Sequence, residues 1–148
     1  MTQTETLLFA TLVRRLHLVI RDRVHADLVA AGHTELTIAH MSVFQAPGAD
    51  GLRPTELAAR TNTTKQAMNH QLNALERLGY LERVPSVTDR RAIVIRLTDK
   101  GHDVERILRD RALDLEREWA GAIGTARMAE LRQLLADVNF VAEPDGLG

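Results

Sequence analysis

The sequence contains no cysteine. Disulfide bonds, thiolate metal sites and thiol-based redox sensing by this chain are therefore excluded. It also has no apolar run that approaches the roughly 18 residues a transmembrane helix needs, so we expect no membrane partner. The first residues, Met1 to Glu5, have neither the basic start nor the small-residue cleavage site of a signal peptide, and we therefore expect a cytoplasmic protein.

Enzyme signatures are missing as well. The sequence has no G-x-G-x-x-G, P-loop, G-x-S-x-G or H-E-x-x-H pattern, and without cysteine the possible nucleophiles are fewer. We therefore expect no enzyme activity and no cofactor. A length of 148 residues, with 45% hydrophobic and 26% charged residues, fits one globular chain with a real core, and we treat residues 1–148 as a single unit.

The chain has almost no net charge, −1, which taken alone argues against a nucleic-acid partner. The average hides an asymmetry. Residues 53–100 contain nine lysines and arginines against five acids, a balance of +4, and the two ends together carry −5. A basic middle between acidic ends fits a module that faces nucleic acid and is held by helices that face elsewhere, with chance scatter of the charges as the alternative.

Four helices are predicted before residue 80. Apolar residues at steps of three and four predict a first helix over residues 5–31, which Gly32 ends. A second, short helix is predicted from about Thr37 to Gln45, and Pro47-Gly48 ends it.

The third and fourth helices form a predicted helix-turn-helix. Pro54 suits the first position of the third helix. Asn62-Thr63-Thr64 interrupts the pattern, and the fourth helix runs to Leu78, where Gly79 closes it. Two short helices joined by a tight polar turn are typical of this motif.

The fourth helix has an unusual outer face. In a projection at about 100° per residue, Met68, Leu72 and Leu75 define its buried side. The residues about 100° to 200° away are Gln66, Asn69, His70, Asn73 and Arg77. This face has no carboxylate, whereas a solvated helix surface usually mixes both signs, so the pattern favours contact with base edges and phosphates over an ordinary polar surface.

Gln66 has a competing interpretation. Thr63-x-x-Gln66 matches a capping box, in which the glutamine side chain would be bound back to the start of its own helix.

A two-stranded wing is predicted behind the helix-turn-helix. Two β-rich runs, Tyr80–Val84 and Ile93–Leu97, flank a loop from Pro85 to about Ala92. Ile93, Ile95 and Leu97 are predicted on one face of the second strand. The loop contains Asp89-Arg90-Arg91, in which one guanidinium can be held by the aspartate while the other extends to a narrow minor groove or a phosphate. Solvation of both arginines is the alternative.

The remaining helices carry more apolar surface than a winged helix needs. Thr98 is a good N-cap for a long helix, Gly124-Thr125 breaks it, and a last helix follows, with a frayed tail from about Ala142 that includes Pro144. We assign residues 36–98 to the winged helix-turn-helix lobe, and residues 5–31 and 99–141 to a helical region that joins a homodimer. The predicted fold class is mainly α with a small β-wing.

The order of elements resembles the MarR family of bacterial transcriptional regulators. The similarity is carried by Glu56-Leu57-Ala58, by the stretch from Leu75 to Arg83, by Asp89-x-Arg91 and by Leu97-Thr98-x-Lys100-Gly101. The resemblance in the order of elements covers nearly the whole chain, and the D-x-R-x5-L-T-x-x-G pattern is specific in this context.

The resemblance implies a homodimer that binds double-stranded DNA at a pseudo-palindromic operator, with half-sites about one helical turn apart. It places the recognition helix, Thr64 to Leu78, in a major groove and the wing tip, Pro85 to Arg91, in the adjacent minor groove. It further implies a repressor that a small aromatic or anionic effector releases. The candidate DNA contacts are Arg53, Thr64, Lys65, Gln66, Asn69, His70, Asn73, Arg77, Arg90 and Arg91. Asp89 is expected to hold Arg91, which leaves Arg90 to enter the groove.

Three features depart from the family pattern. Arg53 stands where a helix-capping threonine or serine is frequent, so the third helix should lack its usual cap. Ser86 replaces a frequent aspartate and puts the internal pairing of the wing in doubt. The recognition helix has only Lys65 and Arg77 as cations, which predicts modest affinity with a shallow salt dependence.

Histidines form one further pattern, with four of the six before residue 41. His17 and His25 are roughly 12 Å apart along one helix, too far to chelate a single ion, and we expect no metal site. His17 and Arg21 lie four residues apart and are a weak candidate for binding an anionic ligand, with a solvated or interface pair as the alternative.

The main functional alternative is a winged helix that contacts protein and not DNA. It predicts an exposed apolar helix face, whereas this chain has an amide-rich one.

Overall fold

The computed structural model describes residues 8–46 and 48–143. Its elements, in chain order, are α1 (Phe9–Ala30), α2 (Ile38–Gln45), α3 (Pro54–Arg60), α4 (Lys65–Arg77), β1 (Leu81–Pro85), β2 (Ile93–Leu97), α5 (Asp99–Ile123) and α6 (Thr125–Ala142). The predicted class, mainly α with a small β-wing, is confirmed. The predicted start of the first helix at residue 5, the stop at Pro47 and the part of the predicted tail from Pro144 onward lie outside the described residues. The tail was predicted from about Ala142, and α6 includes that residue.

The chain divides within α5 into two compact units, one ending at Arg111 and the other beginning at Ala112. The predicted lobe boundary, between residues 98 and 99, instead marks where α5 begins. No helix in the described ranges is long and apolar enough to cross a membrane.

The core of the first unit collects the apolar faces of all its elements. Its largest fully buried side chains include Leu28, Met41, Leu57, Met68, Leu72, Leu75, Tyr80, Ile95 and Val104. The apolar stripe predicted along α1 is buried only in its second half, at Val24 and Leu28, while Phe9 is 63% exposed. A period-3.6 pattern identifies a helix but does not say which turns are covered within one chain.

Three turns end their helices in the same way. Gly32, Asn62 and Gly79 each have positive φ just past the last helical residue. At Gly79 the next amide, of Tyr80, donates to the carbonyl of Leu75 at 2.9 Å, so the left-handed residue lets the chain reverse while a carbonyl of the last turn is satisfied. The predicted helix stops at Gly32, Asn62–Thr64 and Gly79 are therefore confirmed.

The wing is an antiparallel pair in which Leu81 lies opposite Leu97 and Pro85 opposite Ile93. Ile95 and Leu97 are buried as predicted, but Ile93, near the tip, is 44% exposed because the strands extend beyond the core there. The loop before α3 adds to the sheet edge: Gly51 donates to the carbonyl of Ile95 at 2.7 Å, and the carboxylate of Asp50 accepts from the amide of Leu97 at 2.9 Å.

The start of α5 is bound to the end of α4, a contact we call the carboxyl-end clamp. The hydroxyl of Thr98 donates to the carbonyl of Gly79 at 2.6 Å, and Nζ of Lys100 donates to the carbonyl of Leu78 at 2.9 Å. The amide of Thr98 donates to the carbonyl of Tyr80 at 3.1 Å. These donors satisfy the carbonyls of the C-cap residue of α4 and of the two residues that link α4 to β1.

Gly101 completes the clamp by being small. A Cβ at this position would lie 2.1 Å from the carbonyl oxygen of Tyr80, a main-chain atom that cannot turn away. Thr98 also caps α5, because its hydroxyl accepts from the amide of Gly101 at 3.3 Å. The spacing of Thr98, Lys100 and Gly101 therefore has a structural cause.

The second unit contains the end of α5 and all of α6. Leu115 and Met128 are buried in it, and Arg132 forms an ion pair with Glu116 at 2.8 Å. Other apolar side chains of α6 are exposed, among them Leu134 at 54% and Val138 at 50%.

We predict that Gly101→Ala lowers the free energy of unfolding by about 2–3 kcal/mol, since the added methyl group must push the carbonyl of Tyr80 away from the start of α5. Gly121→Ala is the matched control on the same helix: its Cβ would meet nothing within 4 Å, and we expect it to raise stability by up to about 1 kcal/mol. Urea unfolding followed by circular dichroism measures both. Equal effects of the two substitutions would contradict the proposed role of Gly101.

Candidate nucleic-acid interface

The start of α4 is capped by Thr64. Its hydroxyl accepts from the amide of Ala67 at 3.1 Å. The predicted capping box from Thr63 to Gln66 is therefore wrong, since the hydroxyl of Thr63 instead donates to the carbonyl of Thr61. Both threonines can cap a helix, and the chain begins its helical turn one residue later. The side chain of Gln66 is left exposed.

The outer face of α4 is exposed and not involved in internal bonding. Met68, Leu72 and Leu75 are fully buried on the opposite side, as predicted. The exposed residues of the outer face and its edge are Lys65, Gln66, Asn69, His70, Asn73 and Arg77. None of these side chains has a hydrogen bond or ion pair with another described residue, so their donors and acceptors remain available to a ligand.

The acidic residues near this face are paired away from it. Glu76 forms an ion pair with Arg83 of β1 at 2.7 Å and also accepts from the main-chain amide of Arg83. Glu82 pairs with Arg96 across the two strands at 2.7 Å. The first ion pair joins α4 to the wing and the second joins the two strands of the wing, and neither involves the exposed cations of α4, Lys65 and Arg77.

The wing tip differs from the prediction in one respect. The carboxylate of Asp89 accepts from the main-chain amide of Arg91 at 3.0 Å, and not from its guanidinium. An aspartate reaches the amide two residues ahead at little conformational cost, which is the usual geometry of an Asx turn. The same carboxylate lies 3.8 Å from the guanidinium of Arg53.

Both arginine side chains at the tip are therefore available. Arg90 and Arg91 are exposed, and neither guanidinium has a partner among the described residues. We expected Asp89 to hold the guanidinium of Arg91. It binds only the main-chain amide of Arg91, so the guanidinium of Arg91 is not held inside the loop. Arg53, in contrast, is brought to the wing by Asp89, so its guanidinium joins the cations at this end of the lobe.

Ser86 maintains the internal pairing of the wing in place of an aspartate. Its hydroxyl accepts from the amide of Thr88 at 3.3 Å and lies 3.1 Å from the hydroxyl of Thr88. The amide of Ser86 donates to the carbonyl of Ala92 at 2.8 Å, which closes the loop.

The start of α3 lacks a side-chain cap from Arg53, as expected. Glu56 makes the reciprocal contact, because its carboxylate accepts from the amide of Arg53 at 2.8 Å. The guanidinium of Arg53 thus faces the wing while its main chain is fixed by α3.

The weak ligand pair on α1 receives no support. The guanidinium of Arg21 donates to the carboxylate of Asp22 at 2.7 and 2.9 Å, so its charge is already matched, and His17 is exposed. In the described part of the chain, no three histidine, aspartate or glutamate side chains are grouped so that they could hold a metal ion.

A buried polar contact that the sequence did not predict lies behind α4. His33 is 7% exposed, and its Nδ1 lies 3.0 Å from the hydroxyl of the fully buried Tyr80 while its Nε2 lies 3.1 Å from the carboxylate of Asp103. Hydrogen bonds from Arg106 and His33 lower the pKa of Asp103. Burial and the nearby Glu35 carboxylate raise the pKa of Tyr80. The network joins the loop after α1 to Tyr80, just before β1, and to α5.

His40 was also missed. It is the third residue of α2, and its Nδ1 accepts from the amide of Thr37 at 3.2 Å, which caps the helix. Partial burial, followed by the positive charge of nearby His70, lowers the pKa of His40. The neutral ring is required for the cap, because a protonated Nδ1 cannot accept a hydrogen bond.

This cap predicts a pH dependence of stability. Because the pKa of His40 in the folded chain lies below its ordinary 6.5, its stabilising contribution is complete above that pH and is lost as the pH falls through the folded value. His40→Gln keeps a side chain that can cap from this position but does not titrate. We expect the stability of wild type relative to His40→Gln to fall between pH 7.5 and 5.5 in urea unfolding. A difference that is independent of pH would contradict this role.

Comparison with known proteins shows which family and which relatives this chain resembles. The model of the MarR family matches residues 36–92, which contain α2, α3, α4, β1 and the wing loop. The transcriptional repressor MprA of Escherichia coli K12 is 27% identical over 108 residues, which are 72% of this chain. The chain spans 61% of the length of that relative.

Solved structures show the same fold over most of the chain. The transcriptional repressor CouR, known from Rhodococcus jostii RHA1, is similar in its complex with a 23-mer DNA duplex: TM-score 0.69, 25% identity, 89% of this chain and 92% of that chain covered. A Mycobacterium tuberculosis MarR family protein in complex with salicylic acid has a TM-score of 0.66 and 24% identity, with 91% and 98% covered. The fold is that of a winged helix-turn-helix, and residues 36–92 match the model of the MarR family.

Proposed function

We propose that this chain is a DNA-binding transcriptional regulator, a ligand-responsive repressor that binds a pseudo-palindromic operator as a homodimer. The observation that carries the proposal is the joined surface of α4 and the wing tip. Amides, an imidazole and cations without partners among the described residues lie on α4. Two guanidinium groups, also without partners there, lie on the loop of the wing, which the carboxyl-end clamp and the Glu76–Arg83 ion pair connect to α4.

The chemistry of this surface fits duplex DNA. Asparagine and glutamine side chains can pair bidentately with adenine in the major groove, and arginine can bind guanine or enter a narrow minor groove. An interface with protein would be expected to expose an apolar centre, which the outer face of α4 lacks. The relation to a DNA-bound repressor supports the same reading.

The proposed assignment of the chain follows from this surface. Residues 36–98 form the DNA-binding lobe, with Arg53, Thr64, Lys65, Gln66, Asn69, His70, Asn73, Arg77, Arg90 and Arg91 as contacts and Asp89 as the support of the wing. We assign no enzyme activity and no cofactor, and a cytoplasmic location. A small aromatic or anionic effector is proposed on the family resemblance, without residues assigned to it.

Homodimer formation is proposed from the exposed apolar residues of the terminal helices. On α1 these include Leu12, Val13 and Leu16 at 38–43% exposure, and on α6 they include Leu134 and Val138. Apolar stripes of this size on both terminal helices are typical of surfaces that a partner covers. Residues 5–31 and 99–141 are therefore proposed as the dimerisation region.

The wing assignment is tested with Arg90→Ala on a mixed-sequence duplex. We expect binding to weaken about three- to tenfold and the slope of log affinity against log salt to decrease by about 1, because a groove or backbone cation is lost. Arg109→Ala removes the same charge from α5, where Arg109 lies 3.8 Å from Asp110, and should change neither quantity. Fluorescence anisotropy measures both. Equal binding by Arg90→Ala and wild type would contradict the wing assignment.

The recognition helix is tested with Asn69→Ala. Loss of a base contact should weaken binding to a preferred sequence by about 1–3 kcal/mol while binding to a mixed-sequence duplex changes less than about twofold. The control is Asn139→Ala, which makes the same substitution at an exposed position of α6 and should change neither affinity. If Asn69→Ala weakened both kinds of binding equally, Asn69 would not be a base-reading residue.

The dimer surface is tested with Leu134→Asp. Because the carboxylate would be buried without a partner in both subunits, we expect the dimer dissociation constant to rise about 100-fold or more in analytical ultracentrifugation. Asn139→Asp adds the same charge about 140° away around α6 and should dissociate much less. Equal dissociation of the two variants would contradict the assignment of this face.

A further inference from the structure

A groove of about 730 Å³ lies between the first turn of α2 and the side of α4 next to its outer face. Its polar lining residues are Thr37, His40, Thr64, Gln66, His70 and Gln71, and alanines supply the rest. The lining contains two imidazoles and no carboxylate. Because no carboxylate lines the groove, an anionic oxygen can bind the imidazoles there without repulsion or competition from a nearby acid.

The proton on His40 has a fixed position. Since Nδ1 accepts from the main-chain amide of Thr37, the neutral ring carries its hydrogen on Nε2. Nε2 has no partner among the described residues, so this N–H is a donor held in one orientation by the start of α2. The cap and the donor require the same neutral tautomer.

His70 differs from His40 because no hydrogen bond within the described residues holds its ring. It is exposed, lines the same groove, and makes no hydrogen bond within the described chain. Its charge disfavours a second charge on His40. An anion between the two rings would therefore be met by a charged His70 and a neutral, donating His40.

The other charged groups near the groove do not compensate the histidines. The carboxylate of Glu35, before α2, is hydrogen-bonded to the hydroxyl of Tyr80, and Glu76 of α4 forms an ion pair with Arg83. Lys65 and Arg77 of α4 are exposed cations. His70 and Gln66 belong both to this groove and to the proposed DNA-binding face.

We propose that the groove between α2 and α4 holds a phosphate oxygen of the DNA backbone, with His40 as the neutral donor and His70 as the group that takes up a proton on binding. The inference rests on the proposed function and adds a residue, His40, and a proton to it.

The test is DNA affinity measured by anisotropy between pH 8.0 and 6.0 at constant ionic strength, on a mixed-sequence duplex. We expect wild-type affinity to rise about three- to fivefold from pH 7.5 to 6.0, as linkage to one imidazole proton requires. His70→Gln should remove this rise. His40→Gln should bind about three- to tenfold more weakly at every pH while keeping the rise, since its amide is used to cap α2.

His102→Gln is the matched control. His102 is an exposed histidine of α5 beside Glu105 and Asp50, and its loss should change neither the affinity nor its pH dependence. Circular dichroism at each pH verifies that all variants remain folded. A merely structural role for His70 would lower affinity without altering the pH profile, and that result would overturn the proposal.

Two further outcomes separate the possible sources of the anion. Histidine resonances of His40 and His70 in NMR should shift with duplex DNA; if inorganic phosphate shifts them and DNA does not, the groove binds a free anion and the proposal is wrong. DNA binding with the wild-type pH profile in His70→Gln contradicts this inference alone. Absence of DNA binding by wild type at every pH contradicts the proposed function as well.

Discussion

The hydrogen bonds between the start of α5 and the carbonyls that directly follow α4 are the contact on which the rest of the proposed DNA-binding surface depends. Thr98 and Lys100 donate to the carbonyls of Leu78, Gly79 and Tyr80, which otherwise would face solvent or the core without partners. Because Thr98 directly follows β2, the same residues hold the end of the helix and the base of the wing. The two DNA-facing elements are thereby presented in one relative orientation.

This constraint explains the role of the signature residues, by which we mean the fragments of the sequence that resemble the MarR family. Leu75 and Tyr80 fill the core, Glu76 and Arg83 join helix to strand, and Gly79 permits the chain reversal between them. Most signature residues therefore fix the frame that presents the interface. The amides of the outer face of α4 lie outside the signature, and the proposed sequence preference depends on them.

The fold could be predicted because its helices and strands follow from local patterns in the sequence. The 3.6-residue period of α4, the glycine that ends it and the alternation in β2 each depend on neighbours within a few residues. The network of His33, Tyr80 and Asp103 could not be found in this way, since its hydrogen bonds join residues 47 and 70 positions apart.

The hydrogen-bond partners within the site could not be predicted for a different reason: the sequence offers chemically equivalent alternatives. Thr63 and Thr64 are chemically equivalent as caps, and only the backbone geometry selects Thr64. Likewise Asp89 can bind either the amide or the guanidinium of Arg91, and the sequence contains no distance that separates the two. The cap that His40 provides was not predicted, because Thr37 is itself a common residue at a helix start and the sequence gives no sign of a second capping side chain.

The central claim is that α4 and the wing tip read duplex DNA as parts of a two-fold symmetric dimer. Selection of bound duplexes from a random pool, followed by sequencing, tests it most directly. The account predicts enrichment of an inverted repeat whose half-sites are centred about one helical turn apart. A pool that shows no enriched inverted repeat after repeated selection would contradict it.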